Sequence, residues 1–229
     1  EVLHDINFEV KPNSVFAIVG ESGSGKSTIA KLMAGFFDAD DGRIYFGDQD
    51  VKSIPTSQLM KHVAYVAQDN FLFDTSIREN LKIAKADATD EEIQAALKAA
   101  NCLELIERLP EGLNSNAGDC GKFLSGGERQ RITLARAMLA DAQCIILDEA
   151  TAYADVENEA KIQEALSRLM KDKTLIVVAH RLNTIVGADQ IMVLGHGKIE
   201  SIGTHKELIQ NSSAYQKLWQ SYSGKEVVE

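Results

Sequence analysis

The chain has 229 residues, 45% of them hydrophobic and 6% aromatic, and 24 lysines and arginines against 34 acids give a net charge of -10. That length suits one α/β domain with a full core, or a core plus a small subdomain, and an acidic balance with no Lys/Arg run argues against a surface that coats nucleic acid. Cys102, Cys120 and Cys144 are far apart, odd in number and without zinc-ligand spacing, which points away from a disulfide framework or metal site and toward a reducing compartment; no run approaches the roughly 18 consecutive apolar residues of a spanning helix, and no signal peptide opens the chain.

The sequence begins at Glu1 with an alternating apolar stretch, "VLHDINFEV", which suggests a piece of a longer chain. Next comes "SVFAIVG", a near-continuous apolar run, and "HVAYVAQ", "CIILDE" and "TLIVVAH" follow it later. Runs of that kind belong to a sheet buried on both faces, and the helical patterns between them predict an α/β fold with a mainly parallel core.

Directly after the first run, residues 20–27 fit G-x-x-x-x-G-K-[ST], the P-loop pattern. Gly20, Gly23, Ser24, Gly25 and Thr28 are expected to bring backbone N–H groups and a helix start around phosphates. Lys26 should reach the β- and γ-phosphates and the Ser27 hydroxyl should ligate Mg²⁺. A glycine-rich turn with a chance lysine is the plain alternative. The strand-like "VFAIV" before the loop and the helical "KSTIAKLMAGF" after it weigh against that alternative.

Between Gln68 and Asp141 the strand pattern disappears. Helical periodicity runs through "DEEIQAALKAANCLELIERL", opened by Thr89 with Glu92 at capping-box spacing. The expected organisation is therefore a P-loop core over 1–68 and 142–229, with a helical subdomain over 69–141.

Within that subdomain "LSGGERQR" raises a separate question. Ser125 and Glu128 match a capping box, and a well-capped helix would account for them. Gly126 and Gly127 need more, since each costs about 1 kcal/mol against alanine in a helix interior, somewhat less in a first turn, comparable with what the serine cap contributes. Bare backbone at a positively polarised helix start suits the close approach of a phosphate. The chain thus holds two phosphate cradles.

"CIILDE" ends a strand on two acids. Neighbouring strand residues point to opposite faces, so Asp148 can serve the Mg²⁺ shell while Glu149 faces an attacking water. Acids at a strand end can also be plain helix caps, a reading that the P-loop upstream disfavours. His180, at the end of "TLIVVAH", reads by itself as structural or solvent-facing. Further on, "IMVLGHGKIESIG" predicts a hairpin turned at 195–198, and Thr204 with Glu207 starts a terminal helix.

"GESGSGKST", "LSGGERQR", "CIILDEAT" and "VVAHR", in this order, resemble the nucleotide-binding domain of ATP-binding cassette (ABC) transporters along essentially the whole chain. The resemblance implies a P-loop NTPase core with an inserted helical subdomain. It also implies head-to-tail pairing with a second such domain, identical or diverged, each ATP lying between the P-loop of one and the signature helix of the other. The two cradles then serve different sites. Glu149 is implied as general base, and Lys26 and the two helix starts as stabilisers of phosphoryl charge. Ser27, Asp148 and Gln68 would organise Mg²⁺, Gln68 being the Q-loop glutamine near the docking point of a membrane coupling helix. His180 matches the switch histidine at the γ-phosphate, and Asp155 the acid of the D-loop.

"FLFDTSIRENL", "NAGDCGKFLSGG" and "GTHKELI" resemble the exporter branch, although Asn116, Ala117 and Asp119 depart from its usual T-x-V-G-E-x-G. The implied partner is a transmembrane domain, fused on the N-terminal side, with this domain on the cytoplasmic face of the membrane and no nucleic acid involved. "ATAYAD" stands where "ATSALD" is usual and puts Tyr153 at a normally small position; similar variants occur in exporter-fold transporters of siderophores and other metallophores. The family's adenine-stacking aromatic lies upstream of "VLHDI", so nucleotide affinity is expected to be weaker without it. Two rivals remain. A chromosome-maintenance or DNA-repair ABC protein would carry a long coiled coil in place of the compact helical stretch, and a monomeric P-loop kinase or switch protein would use the signature helix only structurally.

Overall fold

The structure is a computed structural model that describes residues 2–148, 156–169, 172–179 and 182–223. In chain order the elements are β1 (Val15–Gly20), α1 (Lys26–Met33), β2 (Tyr45–Phe46), β3 (Gln49–Asp50), α2 (Thr56–His62), β4 (Val63–Val66), α3 (Ile77–Lys82), α4 (Asp90–Ala99), α5 (Leu103–Arg108), α6 (Gly126–Ala140), β5 (Cys144–Asp148), α7 (Val156–Leu169), β6 (Thr174–Val178), β7 (Gln190–Gly195), β8 (Lys198–Gly203), α8 (His205–Asn211) and α9 (Ser213–Ser223). Six strands form one sheet in the order β4–β5–β6–β1–β7–β8, and β2 pairs with β3 as a separate ribbon. The four apolar runs of the sequence are β1, β4, β5 and β6, so the expected α/β fold with a mostly parallel sheet is observed.

The chain divides into two compact units. The first comprises Glu1–Leu59, Ile146–Glu149 and Thr174–Glu229. In it β1 is central, pairing in parallel with β6 (Ala17 opposite Val177) and with β7 (Ala17 opposite Ile191). A strand with parallel neighbours on both sides has both faces covered, which is why Phe16, Ala17, Ile18 and Val19 are all buried. Around Ala17 and Val19 a core gathers Leu182, Ile185, Ile191 and Val193, closed by Leu208 and Tyr215 from the terminal helices. The predicted hairpin is β7–β8, antiparallel, turned at His196 and Gly197, both with positive φ. A Cβ on Gly197 would lie 2.1 Å from the Val2 carbonyl oxygen, so only glycine lets the N-terminal stretch pass this close. His4 N–H seals that contact by donating to the Gly197 carbonyl at 2.8 Å.

The second unit, Met60–Ile145 with Ala150–Lys173, is mainly helical. All three capping boxes expected from sequence are formed: Thr89 with Glu92 ahead of α4, Ser125 with Glu128 ahead of α6, and Thr204 with Glu207 ahead of α8 in the first unit. α6 is the buried axis of the second unit, with Ile132, Leu134, Ala135 and Leu139 inside against α3, α4 and α7. Two of its polar residues, the buried Thr133 and the partly buried Arg136, grip the segment after β4. Thr133 Oγ1 donates to Asn70 Oδ1 at 2.9 Å, and Arg136 donates to the carbonyls of Asn80 at 2.9 Å and Phe71 at 3.3 Å. That grip fixes Phe71 and Phe73, which pack edge to face while remaining largely exposed.

Candidate phosphate sites

The loop from β1 to α1 is built for an anion. Gly20, Gly23 and Gly25 all have positive φ, and Gly25 caps α1 in the left-handed conformation without any side-chain hydrogen bond, leaving the first N–H groups of the helix to another partner. Close approach adds a second constraint. A Cβ on Gly20 would sit 2.1 Å from the Leu194 carbonyl oxygen and 2.8 Å from Ser24 Oγ. Gly20→Ala is therefore expected to destabilise the first unit by about 2 kcal/mol through forced displacement of β1 from β7. Urea unfolding of the variant, with ATP binding measured alongside, checks this; unchanged midpoint and affinity would contradict it.

Lys26 is 4% exposed, and its ammonium donates to the carbonyls of Gly20 at 3.0 Å and Glu21 at 2.8 Å. The charge is thereby folded across the mouth of its own loop. Ser24 is buried, and its hydroxyl has no hydrogen-bond partner among the described residues. A buried hydroxyl left unpaired costs free energy, and a phosphate oxygen in this loop would satisfy it. Beside it, the Ser27 hydroxyl donates to Asp148 Oδ1 at 2.9 Å across 121 residues of sequence. Asp148 is 4% exposed at the end of β5. A serine hydroxyl and a carboxylate are hard oxygen donors of the type Mg²⁺ takes next to phosphates, so these residues fit both a nucleotide phosphate and its metal. Thr28 follows on the first turn of α1, half-buried.

The second cradle lies in the second unit. Ser125 is exposed at the start of α6, its Oγ accepting from Glu128 N–H at 3.3 Å while Glu128 Oε2 accepts from Ser125 N–H at 2.8 Å. Gly126 and Gly127 form the first turn beside them, Gly127 buried. Gln68 is exposed in the turn after β4, where its carbonyl accepts from Asn70 Nδ2 at 3.2 Å. Of the other expected site residues, Glu149, His180, Tyr153 and Asp155 lie outside the described residues.

Within the first unit the structure joins Asp148 to Ser27 of the loop that also holds Lys26 and Ser24, and the glycine-headed, capped start of α6 belongs to the second unit. Sequence reasoning missed Asn80, Arg136 and Arg108. Asn80 and Arg136 sit inside helical patterns where each reads as a surface residue, and only an asparagine amid the otherwise apolar inner positions of α3 hints at a buried role.

Residues 3–152 match the ABC transporter family. This chain belongs to the ABC transporter family. Within that family it is an ATPase domain. The ABC chain is 48% identical over 219 residues, 95% of its length, to the heavy metal tolerance protein of Schizosaccharomyces pombe, and covers 26% of that protein. It is 47% identical over 220 residues, 96% of its length, to the mycobactin import ATP-binding/permease protein IrtA of Mycolicibacterium smegmatis, again covering 26%. Against the solved structure of a bacterial Atm1-family ABC exporter with ATP bound, it superposes with a TM-score of 0.91 at 36% identity, over 100% of this chain and 39% of the exporter chain. The ABC chain therefore spans about a quarter of the length of these two curated relatives. No helix among the described residues is long and apolar enough to cross a membrane.

Proposed function

We propose that this chain is the ATP-binding and ATP-hydrolysing domain of an exporter-type ABC transporter, and that ATP closes two such domains head to tail while hydrolysis reopens them. The observation that carries the reading is the Ser27–Asp148 hydrogen bond beside Lys26, which joins the P-loop to the end of β5. The Lys26 ammonium binds and orients the β- and γ-phosphates, and the Ser24 hydroxyl and the N–H groups of α1 hold phosphate oxygens. Ser27 and Asp148 would hold Mg²⁺, which would supply neutralisation of phosphoryl charge, and Gln68 keeps its proposed role as the Q-loop glutamine. Glu149 takes the proton of the attacking water, and His180 contacts the γ-phosphate. Ser125, Gly126 and Gly127 of a second copy close the site from the opposite side.

The name of IrtA, an ATP-binding/permease protein, supports a fused permease segment; we place that segment on the N-terminal side and this domain at the cytoplasmic face of the membrane from the sequence resemblance alone. As organisation we retain a core over 1–68 and 142–229 and a helical signature subdomain over 69–141. The names of the two relatives, one of heavy metal tolerance and one of mycobactin import, together with Tyr153, support handling of a metal-chelating small molecule.

The test is pairing. Glu149→Gln should bind Mg-ATP without turning it over and shift from monomer to dimer in light scattering, and adding Ser125→Arg should abolish the dimer. A Glu149→Gln chain that stays monomeric at saturating Mg-ATP would favour a monomeric P-loop protein instead.

A further inference from the structure

Glu128 grips the start of α6 from two sides. Its Oε2 accepts the backbone N–H of Ser125 at 2.8 Å, and its Oε1 accepts from Arg108 Nη2, at the last residue of α5. Arg108 is 68% exposed, whereas the Glu128 side chain is only 14% exposed. Burial pushes the Glu128 carboxyl up, but the hydrogen bonds from Ser125 and Arg108 more than offset this and hold it below the usual carboxylate range.

The other end of α5 is anchored to α7. Glu104 accepts from Lys161 Nζ at 3.2 Å, and Asn101, just ahead of α5, donates to the Lys161 carbonyl at 3.0 Å and to Glu164 Oε2 at 2.8 Å. Arg168 donates to the carbonyls of Lys98 and Ala99 and to Asn101 Oδ1. A six-residue helix is thus held at one end by α7 and holds the start of α6 with the other.

An exposed ion pair contributes little to global stability, so the placement of Arg108 needs another account. Gly126 and Gly127 leave the first turn of α6 with more backbone freedom than any other pair of residues would. The carboxylate that Arg108 holds is the one that restrains this turn. We propose that Arg108 is a positioning residue: acting through Glu128, and braced by α7 through α5, it fixes the glycine turn of α6 in the geometry that receives a phosphate. Only the last step, reception of ATP from a second copy, rests on the proposed function.

The test begins in the monomer, without ATP. In Arg108→Ala the amides of Ser125 and Glu128 should exchange with solvent about three- to fivefold faster by NMR, the range an exposed ion pair can supply. The amides of Ile93 and Leu97 in α4 should keep their rates, and Arg108→Lys should restore most of the protection. In the Glu149→Gln background, Arg108→Ala should raise the protein concentration needed for ATP-dependent pairing by a similar factor, with ATP affinity of the monomer unchanged. Wild-type exchange at Ser125 and Glu128 in Arg108→Ala would overturn the proposal, and so would faster exchange shared equally by α4, which would make Arg108 a general structural residue. Local acceleration in a chain that never pairs would uphold the positioning role and count against the proposed function instead.

Discussion

Lys26→Ala should lower the rate of ATP hydrolysis by at least about 10²–10³, the usual loss when a preorganised donor to a transition-state oxygen is removed. This ammonium sits 4% exposed, and residues 20–28 hold no second lysine or arginine to replace it. Its two carbonyl partners, Gly20 and Glu21, already aim it into the loop, so the bound geometry needs little reorganisation. Phosphate release at saturating Mg-ATP is the measurement. A rate within tenfold of wild type would mean that phosphoryl charge is stabilised elsewhere.

The second large effect is on folding. Asn80→Ala should destabilise the second unit by about 3 kcal/mol, because several buried groups lose their partner at once. Asn80 is fully buried, and its amide has no idle atom: Oδ1 accepts from Phe73 N–H at 2.9 Å and Arg136 Nη2 at 3.0 Å, while Nδ2 donates to the carbonyls of Phe73 at 3.0 Å and Ser76 at 3.1 Å. Arg136 is itself desolvated enough that burial lowers its pKa, so a lost acceptor cannot be replaced freely by water. Urea unfolding gives the number, and a loss under about 1 kcal/mol would contradict it. Asn80→Asp makes a control with its own sign. It keeps the acceptor for Arg136 but turns the donor toward two carbonyls into a negative oxygen, so it should be at least as harmful as alanine at neutral pH.

How much of this was legible in the sequence depends on how local the cause is. β1, β4, β5 and β6 could be read because a doubly covered strand must be apolar at nearly every position, and the three capping boxes because the cap and its partner lie three residues apart. The β7–β8 hairpin was legible from its glycines. The β2–β3 ribbon was not read, although Gly47 and Asp48 between the paired residues are a turn signal. The Ser27–Asp148 contact spans 121 residues and was reachable only because each half carries a motif with a chemical purpose. Asn80 with Arg136, 56 residues apart, carries no such motif, and Arg108, the partner of Glu128, has none either. Such pairs satisfy each other, and no pattern of spacing announces them.

α6 carries a further consequence. Its first turn presents Ser125 and two bare glycines, and eleven residues later Arg136 clasps the carbonyl beneath Phe71. An α-helix rises about 1.5 Å per residue, so these points lie about 16 Å apart on one stiff rod. A stiff rod cannot absorb a load applied at one end. Pressure on the aromatic rim would emerge as a shift of the glycine turn, and a small molecule wedged under Phe73 would jam the lever with no need to compete with nucleotide.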